Sequence, residues 1–120
     1  MSLIRSLGHI CLSGIFISGG AQAFIDPGGR VNKVADAGIP GPQQAVELNG
    51  ALMVIGGTML ALDIAPKLAA LVLLGTIVPT TVVGHAFWKE ESDTGRKNQQ
   101  IQFLKNLGLL GGLLLVLAEK

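Results

Sequence analysis

The sequence predicts an all-α fold: a transmembrane four-helix bundle running up-down-up-down. Three observations predict it. Hydrophobic residues supply 49% of the chain and charged residues only 14%, against roughly 25% charged in soluble domains. Mean hydropathy is +0.55. The apolar residues gather into separate continuous runs at about 3–25, 44–62, 67–88 and 101–118. Each is near the roughly 20 residues that cross about 30 Å of hydrocarbon. Continuous rather than alternating runs argue against a membrane β-barrel, and 120 residues make one domain.

The first run, Leu3 to Ile25, is long enough to span. Met1 to Arg5 followed by Ala21-Gln22-Ala23 also has the outline of a cleavable signal peptide. Gly8, His9, Ser13 and Gly14 interrupt the apolar core such a peptide needs, which favours a retained helix. Asp26-Pro27-Gly28-Gly29-Arg30 reads as a turn, because proline sets φ and glycine permits reversal. Val31–Ala37 reads as a short amphipathic piece at the interface, ended by Gly38-Ile39-Pro40-Gly41-Pro42.

The second run carries no charge from Leu48 to Leu62. Asp63–Pro66 is a tight turn, with Pro66 suited to the first position of the next helix. The third run ends in His85-Ala86-Phe87-Trp88; Pro79 within it removes an intrahelical hydrogen bond and predicts a kink. Thr76, Thr80 or Thr81 could satisfy the freed groups. Lys89–Gln100 reads as a charged loop. The fourth run has Gly108 and Gly112 at GxxxG spacing beside Gly111, expected to serve close packing. Short connections make neighbours antiparallel. Arg30, Lys33, Lys89, Arg96 and Lys97 then share one side, with Arg5, Lys67 and Lys120 on the other. The positive-inside rule leans toward the first group being cytoplasmic.

Composition also narrows function. A net charge of +1 without basic clusters offers nothing to nucleic acid. The single Cys11 rules out an internal disulfide and a CxxC pair. His9 and His85 fall near opposite membrane faces, which disfavours a bis-histidine haem, and no metal or phosphate-loop spacing stands elsewhere.

In an up-down bundle one membrane face collects Gln22, Asp26, Gln43, Gln44, Glu47, Asn49, Thr81, His85, Gln99, Gln102 and Asn106. Glu47 suits a helix N-terminus in water. Asn49 suits a hydrogen bond between helices. Trp88 suits an aromatic belt anchor. His85 has two readings: a structural partner of the helix end or of Asn106, or a contact for a quinone carbonyl or a proton. On the other face, Arg5, His9 and Ser13 form a polar stripe in which His9 is expected to bond a neighbouring helix.

Several stretches resemble the DoxX family of small four-helix bacterial membrane proteins. They are Glu47-Leu48-Asn49-Gly50, Pro66-Lys67-Leu68-Ala69-Ala70-Leu71, Gly84-His85-Ala86-Phe87-Trp88, Phe103-Leu104-Lys105-Asn106 and Gly111-Gly112-Leu113-Leu114. The likeness is strongest from Glu47 to Leu115 and weakest from Asp26 to Pro42. The resemblance implies a multi-pass protein of the bacterial plasma membrane, associated with redox complexes and with thiol and oxidative stress. A related subunit belongs to a thiosulfate:quinone oxidoreductase. It supplies no catalytic residues.

Three functions follow as expectations. The first is a membrane subunit of a quinone- or thiol-linked redox complex. Its ligand or partner site would draw on His85, Trp88, Asn106, Gln102, Asn49 and Glu47; the cofactor stays open, with a quinone as one candidate. The second is an assembly protein that packs against other membrane proteins, or further copies of itself, through glycine-rich faces. The third is a small-solute transporter, disfavoured by few buried charges and no inverted repeat.

Overall fold

The computed structural model describes residues 2–120, and every regular element among them is helical. There are five α-helices: α1 (Leu3–Ile25), α2 (Gly29–Asp36), α3 (Pro42–Ala61), α4 (Pro66–Pro79) and α5 (Asp93–Leu117). Besides four longer helices there is a fifth, α2, a two-turn amphipathic helix that covers most of the short amphipathic piece expected at Val31–Ala37. Its polar surface and Lys33 suit an interface rather than a core.

α1 begins at an N-cap, Ser2, whose side chain accepts from the Arg5 N–H. Pro42 and Pro66 open α3 and α4, where the missing N–H costs nothing. The third apolar run is not one α-helix. α4 stops at Pro79, a π turn covers Thr80–Gly84, and a 3-10 turn covers Phe87–Lys89. Proline cannot bond the carbonyl of Gly75, and the helix widens just beyond it. The threonines turn inward onto nearby carbonyls: Thr80 donates to Thr76 O at 2.7 Å and Thr81 to Ile77 O at 2.6 Å.

α5 starts two turns earlier than the expected 101. Ser92 caps it by accepting from the Gly95 N–H at 3.0 Å, and Asp93 lies in its first turn. The segment Lys89–Gln100, read from its charge as a loop, is therefore largely the water-side extension of a helix. A solvated helix keeps its hydrogen bonds without an apolar face when its cap is good.

α1 lies along α3, α3 packs also on α4, and α4 on α5. Backbones approach most closely where glycines face each other. A Cβ at Gly20 would stand 2.6 Å from Gly50 O, and one at Gly57 would stand 2.8 Å from the Ile17 side chain. Gly108 and Gly111 meet nothing within 4 Å, and Gly112 only abuts Leu12. The close packing expected of the α5 glycines is thus done between α1 and α3.

Buried side chains concentrate in one half of the bundle: Phe16, Leu60, Leu73, Ile77, Leu113 and Val116. The outward faces are apolar, with Leu7, Ile10, Leu68, Leu71, Leu104 and Leu114 all exposed. Three helical stretches are long and apolar enough to cross a membrane: Leu3–Ile25, Pro66–Lys89 and Asp93–Leu117. α3 is not among them, against an expectation of four. Its 20 residues reach about 30 Å, but Gln43, Gln44, Glu47 and Asn49 make its first half polar. α1, α2 and α4 flank it, so less of its surface must be apolar.

Candidate functional site

Two polar centres occupy opposite ends of the bundle. The first is a cleft of about 930 Å³ that borders the buried core. Phe16 and Ile77 line it, and Ile15, Leu52, Met53 and Leu109 extend its apolar wall. The widened turn after Pro79 contributes Thr80, Val83, Gly84 and His85. Of the sequence-derived candidates, Asn49, His85, Gln102 and Asn106 line the cleft; Glu47 and Trp88 do not.

Each of the four has a defined setting. Asn49 donates from α3 to Thr80 Oγ1 at 3.0 Å, the interhelical bond expected of it. Asn106 is buried and donates to Thr81 Oγ1 at 3.0 Å, tying α5 to the π turn. A His85–Asn106 bond, one of the readings open for His85, is not made; each residue has a different partner. His85 donates through Nδ1 to Gln99 Oε1 at 2.8 Å. A neutral imidazole that donates from one nitrogen accepts at the other. His85 therefore offers Nε2 as an acceptor, and no hydrogen bond among the described residues engages it. Gln102 accepts from Lys105 Nζ at 2.6 Å.

Glu47 is half-buried on α3 outside the cleft. Trp88 is 52% exposed. It stacks edge-on with Phe87 and Phe103, at centroid distances of 5.2 and 5.9 Å, an aromatic knot joining the 3-10 turn to α5. Trp88 therefore packs on aromatic neighbours outside the cleft.

The cleft also holds residues the sequence reading passed over: Arg30 and Lys33 from α2, and Lys105 from α5. Lys33 Nζ donates to Gly84 O at 2.8 Å, which holds α2 across the cleft mouth. The signal was present in the spacing of Arg30, Lys33 and Val34, which share one face of a helix. It was hidden because nothing in the sequence says what that face covers.

The second centre surrounds His9, whose side chain is only 3% exposed. Nδ1 donates to Asp63 Oδ1 at 2.5 Å and Nε2 to Glu119 Oε2 at 2.8 Å. Ser6 also donates to Asp63, at 2.8 Å, and the Arg5 guanidinium stands 4.0 Å from Glu119. Two carboxylates facing the two ring nitrogens favour the imidazolium form, which together with Arg5 balances Asp63 and Glu119. Asp63 takes a left-handed backbone conformation, φ 56°, which turns its carboxylate toward α1. The bonds from His9 and then Ser6 hold that carboxyl below the usual aspartate range. His9 does bond neighbouring segments, as its polar stripe predicted. Glu119 and Asp63 were not recognisable as its partners, since they lie 110 and 54 residues away.

Helices with apolar outward faces and buried, fully partnered polar groups define an integral membrane protein. The chain belongs to the DoxX family, whose match runs over residues 4–86. That match takes in α2 and its flanking turns, where the likeness had looked weakest. It ends at Ala86, before Trp88 and α5. No curated protein and no solved structure matches the chain.

Proposed function

We propose that this protein is a membrane subunit of a quinone- or thiol-linked redox complex in the bacterial plasma membrane. Its four long helices cross the bilayer in alternating directions. The carrying observation is the cleft, with apolar walls and a polar shelf of Asn49, His85, Gln102 and Asn106. An apolar pocket with a few convergent polar groups is the usual form of a small-molecule site. A quinone headgroup fits that chemistry. The Nε2 of His85 accepts from the hydroxyl of the reduced ring, and side-chain amides can donate to carbonyls. A bundle without its own redox cofactor leaves electron transfer to a partner subunit.

Alternation is supported by the two polar centres. One joins the start of α1 to the α3–α4 turn and the C-terminal residues, and the other joins the first half of α3 and the π turn after α4 to the middle of α5. The test is purification in mild detergent with identification of co-purifying proteins and quinone. A redox partner is expected, and His85→Ala should lower quinone turnover of the complex at least about tenfold, or about 1.4 kcal/mol, with helicity unchanged. Unchanged turnover, or no redox partner, would reject the reading.

One observation favours an assembly protein as the second reading. Gly108 and Gly111 present an unfilled strip on the outer face of α5. Small residues of that kind let another transmembrane helix approach closely. Partners without redox cofactors would favour it.

A further inference from the structure

We propose that the cleft seats an anionic phospholipid, with its headgroup at Arg30, Lys33 and Lys105 and an acyl chain along the apolar wall. The lipid would occupy the cleft that the quinone reading also uses, but the inference does not rest on that reading, because its evidence is the charge at the cleft mouth and it requires no electron transfer.

Charge carries the argument. Among the described residues, the cleft is lined by those three cations and by no aspartate or glutamate. None of the three makes an ion pair: the ion pairs among the described residues involve only Arg5, His9 and Arg96 as cations. Instead they donate to neutral acceptors, Lys33 to Gly84 O, Lys105 to Gln102 Oε1 and Arg30 to Asp26 O at 3.3 Å. Cations that line one cleft without an ion-pair partner, beside a low-dielectric wall, attract an anion more strongly than the same groups in open water.

The shape selects an amphiphile over a free anion. Below the cations the lining turns apolar at Ile15, Leu52, Met53 and Leu109. A water-soluble phosphate would leave this surface unfilled. A fatty acid would fill it, but brings one carboxylate to three cations. A phosphodiester accepts from several donors at once, including a guanidinium fork, and its esters can meet the amides of Gln22 and Gln102. Basic pockets between membrane helices bind anionic headgroups in this manner.

The test is lipid retention by the detergent-purified full chain, measured by native mass spectrometry. Phosphatidylglycerol and phosphatidylcholine with matched acyl chains are supplied in equal amounts. Phosphatidylglycerol should be retained about tenfold over phosphatidylcholine, about 1.4 kcal/mol. The R30Q/K33Q/K105Q variant should lose that preference, whereas K89Q/K97Q, outside the cleft, should keep it. R30Q and K105Q separately should each lower it, so the test survives misfolding of the triple variant. Equal retention of the two lipids, preference surviving in the triple variant, or equal loss in K89Q/K97Q would overturn the proposal. So would displacement of phosphatidylglycerol by an equal concentration of oleate or inorganic phosphate. Quinone turnover is not the readout, so failure here and failure of the redox reading are separable.

Discussion

His85 and Asn106 stand beside the same cleft but do different work. Asn106 is buried and its amide holds Thr81, so its loss is first a loss of packing between α5 and the π turn. Interhelical hydrogen bonds in membranes contribute about 0.6 kcal/mol on average and up to about 1.7. Asn106→Leu should therefore lower stability by about 1 kcal/mol, seen in thermal unfolding in detergent. Asp63 behaves differently because its contribution depends on pH. Its folded carboxyl titrates below the ordinary value of 3.8. Its stabilising effect is thus present above that value and disappears as pH falls through the lower, folded one. Acid titration of unfolding should show this loss, and Asp63→Asn should flatten it while lowering stability near neutral pH. A titration unchanged by Asp63→Asn would mean that the His9 bond is absent in the membrane.

At the scale of elements, the glycines divide by what they face. Gly50→Ala would place a methyl 2.6 Å from Gly20 O, which backbone cannot easily vacate. Overpacking of this kind costs about 1–3 kcal/mol. Gly108→Ala meets open space and should be neutral or stabilising by up to about 1 kcal/mol through helix propensity. Comparing the two variants in the same detergent checks the α1–α3 contact; similar losses would refute it. The GxxxG spacing on α5 predicts close packing there, yet Gly108 meets nothing within 4 Å. Spacing reveals that two small residues share a face but says nothing of which neighbour that face meets. Pro79 was a clearer signal, because a missing N–H acts locally. The break in the helix at Pro79 was legible, whereas the π turn that follows was not, since a missing N–H does not say how the next turn is wound.

The whole molecule is 46 Å long, comparable with the roughly 40–45 Å of a bilayer including its headgroup regions. In the alternating arrangement proposed above, the Asp63 turn and Glu119 share one side, and α2 and the Lys89–Ser92 turn share the other. Single cysteines introduced at Ile64 and Asn32 in a Cys11→Ser background should label from opposite sides of sealed vesicles. Labelling from the same side would refute alternation. Recovery in the membrane fraction after an alkaline wash tests the more basic claim that the apolar faces meet lipid.

What the sequence determined by itself was the solvent and the elements. Long uncharged runs declare lipid, and prolines and turn residues place helix starts, because these effects act within a few residues of their cause. His85, Asn49, Gln102 and Asn106 could be assigned to one end of a bundle by counting turns. Only the tertiary structure decided that they border one cleft, that Glu47 and Trp88 stand outside it, and that Arg30, Lys33 and Lys105 ring it with charge. It alone joined His9 to Asp63 and Glu119. Such pairings depend on the rotation of each helix about its axis, which is set by how glycines, threonines and buried side chains of distant segments fit together.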